Sequence, residues 1–124
     1  MKTIHTDQAP AAVGPYSQAI TYNGMLYTSG QIGLDPISGK LAGETVDIQT
    51  MRVTQNLSAV LRAAACSKTQ IIKTTIYLTD MDDFATVNRL YEAWLGDHRP
   101  ARSTVAVAAL PLGAKVEVEL IAHL

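Results

Sequence analysis

Arg102-Ser103-Thr104-Val105-Ala106-Val107-Ala108 and Lys115-Val116-Glu117-Val118-Glu119-Leu120-Ile121-Ala122 are the two stretches whose reading decides the fold. Successive side chains on a strand point to opposite faces. Val105, Val107, Val116, Val118 and Leu120 therefore define an apolar face, and Arg102, Thr104, Ala106, Glu117 and Glu119 the opposite one. With Leu110-Pro111-Leu112-Gly113 between them, the two strands read as an antiparallel hairpin. Opposed residues of such a pair share a face, so Thr104 is expected opposite Glu119 and Ala106 opposite Glu117, or in a register slipped by two. In the first register Glu117 lies about 13 Å along the strands from the partner of Arg102, too far for a backbone-level ion pair. A long arginine leaning inward could hold a small carboxylate between the two; the plainer alternative is a surface or interface salt-bridge network.

Upstream, Ile71 to Thr79 alternates, with Ile72, Ile76 and Leu78 expected on one face and Lys73, Thr75 and Tyr77 on the other. Two helical patterns flank it. Between Glu44 and Cys66, Val46, Val53, Leu57, Val60, Leu61 and Ala64 recur at helical spacing. After Asp82 or Asp83 as cap, Phe84, Val87, Tyr91, Trp94 and Leu95 form one stripe that Gly96 ends, and Pro100 then favours an extended Ala101. The N-terminal part reads as Tyr16 to Tyr22 and Met25 to Ser29 joined at Asn23-Gly24, a hairpin signal. Gly30 to Gly43, rich in Gly, Pro, Asp and Ser, reads as a loop with room for a short strand.

The order is β-β-α-β-α-β-β, an α+β sheet with both helices on one face, in a single domain spanning residues 1–124. The uncovered face, expected to carry Tyr77, Thr104, Ala106 and Ile121 around its charges, is too apolar for a solvated surface. A second copy of the chain is the cheapest cover, since most soluble oligomers are cyclic homo-oligomers.

Composition narrows the function. Ten Lys/Arg against eleven Asp/Glu give a formal net charge of −1, and the basic residues are scattered, which argues against nucleic acid as a primary ligand. The profile, 48% hydrophobic and 17% charged, is that of a globular chain. Met1 to Pro10 holds no signal-peptide run and no stretch approaches a membrane span, so the cytoplasm is the default expectation and no membrane contact is expected. Cys66 is the single cysteine and reads as a small buried thiol near a helix end. His5, His98 and His123 lie far apart without ligand spacing, so no metal is assigned.

Five segments in register carry a resemblance. Gly14-Pro15-Tyr16-Ser17-Gln18-Ala19-Ile20, Thr28-Ser29-Gly30-Gln31-Ile32, Lys73 to Met81, Phe84-Ala85-Thr86-Val87-Asn88 and Pro100-Ala101-Arg102-Ser103 are similar to segments of the RidA/YjgF reactive-intermediate deaminases, in the same order along nearly the whole chain. The resemblance implies a chorismate-mutase-like homotrimer with clefts between subunits. It also implies hydrolysis, without a cofactor, of 2-imino acids such as 2-iminopropanoate and 2-iminobutanoate to 2-keto acids and ammonium. By position, Arg102 matches the family's carboxylate-binding arginine and Glu117 its water-orienting glutamate. Tyr16, Ser29, Gly30 and Asn88 match other cleft residues, and Thr104 stands beside them where its backbone could hold the imine nitrogen. The roles are chemically sound: a guanidinium forks onto a carboxylate, and a carboxylate near the imine carbon can orient and deprotonate water. Singly, Tyr16 could instead plug a sheet edge, Ser29 satisfy a turn, and Asn88 sit on an exposed helix side.

The chain also departs from the family pattern. Thr104 replaces a frequent Cys, the Gly96 to Ala101 connection is shorter and lacks the usual aromatic before Pro-Ala-Arg, and Ala65 replaces a frequent helix-ending Gly. The alternative function is a non-catalytic small-acid-binding or regulatory trimer. Ribonuclease or translation-inhibitor activity, reported within the family, is disfavoured by the charge balance.

Overall fold

Asn23 and Gly24 both sit at positive φ, 50° and 74°, which is the twist a two-residue hairpin turn requires. In the computed structural model, which describes residues 1–124, this turn folds β2 (Ala19–Tyr22) onto β3 (Met25–Thr28), and β1 (Lys2–Ile4) adds along the far side of β2. After β4 (Gln31–Ile32) come α1 (Val46–Ala63), β5 (Ile71–Leu78), α2 (Phe84–Leu95), β6 (Ala101–Ala106) and β7 (Val116–His123). The sheet order is β1-β2-β3-β7-β5-β6, with β4 also on β7. β1 is an addition to the seven-element order read from sequence, and β4 is the short strand for which the Gly30–Gly43 loop left room. The α+β architecture with two helices and a mixed sheet is as expected.

The β6–β7 hairpin does not form. β6 instead runs parallel to β5, Ile76 beside Thr104, while β7 runs antiparallel on the other side of β5, Ile76 beside Val118. The cause lies in the connections: β5-α2-β6 is a crossover unit, which returns a strand parallel to the one it left. Pro111–Gly113 forms a single 3-10 turn, with Leu112 at φ 58° and Gly113 at φ 71°, in place of a tight hairpin.

The face assignment of β6 is therefore reversed. Arg102 and Thr104 lie beside Thr74 and Ile76, on the face the helices cover. Val105 lies beside Tyr77 on the open face and is 44% exposed. Ile72 is also displaced: a register shift between Ile71 and Lys73 puts Ile71 in the core and leaves Ile72 exposed. The assignment of β7 holds, with Val116, Val118 and Leu120 buried, and Glu117 and Glu119 opposite.

Twenty buried residues form the core, including Leu26, Val53, Leu57, Leu61, Ile76, Leu78, Val116 and Leu120. Both helices lie over that side of the sheet. The open face shows Tyr22, Tyr27 and Val105, each more than two-fifths exposed, around the carboxylates of β7.

Candidate functional site

The structure sorts the expected site residues into two groups on opposite faces of the sheet. Tyr16, Ser29, Gly30 and Glu117 line one cavity of about 760 Å³, together with Ile32 and Leu112. Asn88 and Arg102 line another of about 360 Å³ with Tyr91 and Arg99. Thr104 follows Arg102 on the same strand face. Within one chain, then, Arg102 and Glu117 do not converge.

The first group is built on a bulge. β3 pairs Tyr27 with Ile121, whereas β4 pairs Gln31 with Val118, so the β3–β4 side carries one residue more than β7 between these pairs. Ser29 and Gly30 fall in that interruption. Leu120 N–H donates to the Thr28 hydroxyl at 3.0 Å, while Ser29 gives its own N–H to Gln18 O (3.0 Å) and its hydroxyl to Ser17 O (2.6 Å). The Ser29 hydroxyl thus ties the cavity wall to a carbonyl twelve residues earlier in the chain, a long-range bond in place of the local turn contact weighed from sequence.

Buried amides fix the walls. Gln18 accepts from Thr6 N and donates to Thr6 O and Pro10 O, tying down the segment that leads to Tyr16. Asn56 on α1 donates to Ile32 O and Leu34 O. Pattern reading found neither of these two supports, because a buried amide looks in sequence like any polar residue.

Glu117 projects from β7 across Gly30: a Cβ at position 30 would lie 1.9 Å from its Oε1. The carboxylate is half-buried, and desolvation followed by the charge of Glu119 raises its pKa above the ordinary carboxylate value. A raised carboxyl is a better general base near neutral pH.

The second group rests on α2. Arg102 donates to Asn88 Oδ1, and its guanidinium carbon lies 5.5 Å from the ring centroids of both Phe84 and Tyr91. Asn88 therefore orients the arginine, which goes beyond an idle exposed position. Tyr91 is in turn fixed through its hydroxyl to Thr74 Oγ1 at 2.6 Å. Thr104 Oγ1 is buried with no hydrogen-bond partner, a cost normally avoided unless a ligand or neighbour satisfies the atom. The shortened connection is held by His98 Nε2 against Ile71 O at 2.7 Å and by Arg99, which donates to Gly96 O and His98 O. Cys66 is buried far along the chain from both groups, its thiol pushed up by desolvation.

One group supplies a planar cation on an aromatic shelf; the other supplies a half-buried base beside open backbone. Together they would suit a small carboxylate bearing an electrophilic carbon.

A family model described as Endoribonuclease L-PSP matches residues 6–124. The 2-iminobutanoate/2-iminopropanoate deaminase of Mus musculus is 47% identical over 121 residues, covering 98% of this chain and 90% of that protein. Reactive Intermediate Deaminase A, chloroplastic, of Arabidopsis thaliana is 47% identical over 123 residues; the match takes in 99% of this chain and 66% of the Arabidopsis protein, just under two thirds. Among solved structures, RidA from the Antarctic bacterium Psychrobacter sp. PAMC 21119 superposes with a TM-score of 0.96 at 44% identity over 100% of both chains. TdcF of E. coli with bound serine superposes at 0.95 and 40% identity, covering 100% of this chain and 99% of that one. With a family match over all but the first five residues and relatives this similar along their length, the chain belongs to the Endoribonuclease L-PSP family, the YjgF/RidA proteins.

Proposed function

We propose that this protein hydrolyses reactive 2-imino acids, such as 2-iminopropanoate and 2-iminobutanoate, to 2-keto acids and ammonium, in clefts shared between copies of a homotrimer. The observation that supports this reading is the division of the site: Arg102 with Asn88 and Glu117 with Gly30 lie on opposite faces, as expected for a cleft in which one copy's arginine group meets another copy's glutamate group. The apolar open face around Tyr22, Tyr27 and Val105 supports such packing. Relatives named for this deamination, and the serine bound to E. coli TdcF, support a small amino-acid-like substrate.

In the cleft, Arg102 grips the substrate carboxylate through paired charge-assisted hydrogen bonds, its plane preset by Asn88 and the two rings. The Thr104 hydroxyl or backbone meets the imine nitrogen, and Tyr16, Ser29 and Gly30 shape the opposing wall. Glu117 takes a proton from water as the oxygen bonds to the imine carbon. Return of that proton to nitrogen gives a carbinolamine. Glu117 then moves the carbinolamine hydroxyl proton to the same nitrogen, so that the C–N bond breaks as the C=O bond forms. This releases the 2-keto acid and ammonia, which takes a proton from solvent to become ammonium. No metal or organic cofactor enters this sequence. No helix is long and apolar enough to cross a membrane. The cytoplasm is the proposed site of action, although the Arabidopsis relative is chloroplastic.

The test is a coupled assay in which a pyridoxal-phosphate-dependent dehydratase generates the imine and keto-acid release is timed. The protein should accelerate release. Arg102→Ala should lose both affinity and turnover, with Lys a poor substitute. Glu117→Gln should lose mainly kcat, about 10²- to 10⁴-fold, and still bind a stable keto acid. No acceleration with any small imino acid would leave a small-acid-binding or regulatory trimer in its place.

A further inference from the structure

Glu117 is not the only carboxylate on its strand face. Glu119 lies two residues further along β7, about 7 Å away at the usual strand rise, pointing to the same open side. Tyr77 on β5 stands directly opposite Glu117 in the register. Yet its hydroxyl passes Glu117 by and donates diagonally to Glu119 Oε1 at 2.8 Å.

We propose that Glu119, clamped by the Tyr77 hydroxyl, is a positioning residue for Glu117: a fixed anion on the same strand face that makes Glu117 the member of the pair that takes up the proton of the attacking water. The inference rests on the catalytic reading of Glu117 given above.

The phenol O–H donates to Glu119 Oε1 and so holds that carboxylate in place on the strand face. The phenol itself is pushed up, first by this bond and then by burial and both carboxylates, and so remains a donor through neutral pH. Glu117 has no such donor; burial and the Glu119 charge both press it toward the protonated form. Its other neighbours within the chain are Ile32 opposite on β4, the Gly30 backbone beneath it, Tyr16 and Leu112 across the cavity, and, two residues before it in sequence, the exposed Lys115. In the assembled cleft the facing charges would be the neighbouring copy's Arg102 and the substrate carboxylate. A raised Glu117 beside a carboxylate clamped by the phenol gives one working base and one fixed neighbour.

The sign follows. Removing the Glu119 charge makes Glu117 easier to ionise, so it stays a carboxylate to lower pH and is a weaker base on the plateau. Glu119→Gln should therefore move the acidic limb of the kcat/KM profile to lower pH and reduce plateau kcat about three- to tenfold. Glu119→Asp keeps the charge and should keep the limb near its wild-type position. A Glu119→Gln profile unmoved in pH, whatever its height, would overturn the proposal, because a merely structural Tyr77–Glu119 contact changes rate or melting without moving the limb. Should Glu119→Gln fail to fold, carboxyl ¹³C titration of the wild-type protein decides: Glu117 titrating above Glu119 supports the pairing, and the reverse order or coincident titration overturns it. Glu117→Gln run alongside keeps the two readings separate. If it stays active, the catalytic reading fails; if it is inactive while the Glu119→Gln limb stands still, only the present inference does.

Discussion

A methyl group at position 30 would fall 1.9 Å from Glu117 Oε1 and 2.7 Å from its Cδ, and those atoms belong to the mobile end of a side chain. Gly30→Ala should thus fold normally, because Glu117 can swing aside, but misplace the base by an ångström or more. We expect melting near that of the wild type with turnover down about 10²-fold, read by a thermal scan beside the coupled assay. Wild-type turnover would mean that the carboxylate does not work from this position. In sequence, Gly30 stood out only through family resemblance; nothing in its neighbours announced that a residue 87 positions later would lie across it. Asn88 was singled out in the same way, whereas Arg102 and Glu117 were also drawn out by strand alternation before any resemblance. The orphaned Thr104 hydroxyl was not legible, because β6 had been turned to the wrong face and burial of a single oxygen has no sequence signal.

Elements reveal their ends more readily than their neighbours. Gly96 closes α2 at φ 67°, and Pro100 is followed at once by β6, as local chemistry dictates. At the end of α1, Ala65 takes φ 57°, with Ala65 N–H on Arg62 O (3.0 Å) and Cys66 N–H on Leu61 O (2.8 Å), the paired bonds of a left-handed helix stop. Ala65 is exposed, and a Cβ in this conformation costs on the order of 1 kcal/mol. Ala65→Gly should accordingly raise the melting temperature by a few degrees and leave kcat unchanged; a lower melting temperature would show that chain entropy outweighs the relieved strain. Strand pairing was the weaker reading. Alternation in Arg102–Ala108 fits either side of a sheet when its small residues are Ala, Ser and Thr. The decisive signal was the helix between two strands, which calls for a parallel partner, and it outranked the apparent hairpin to β7.

At the scale of the whole molecule, the opposition of Arg102 and Glu117 across one sheet makes a prediction about mixtures. Arg102→Ala and Glu117→Gln chains, each inactive alone, should regain activity when unfolded and refolded together. A cleft that draws its arginine from a Glu117→Gln copy and its glutamate from an Arg102→Ala copy is intact. With random assembly of equal amounts, about one cleft in four is restored, so roughly a quarter of wild-type turnover should return. Light scattering on the same samples should give a trimer mass. No recovery in mixed trimers would place both residues of each cleft in one chain, against the arrangement seen here. The divided site also ties turnover to mass action. If the cleft forms between copies as proposed, a lone chain carries only half of it, and dilution below the dissociation constant of the assembly should extinguish activity faster than in proportion to protein, even with every chain still folded.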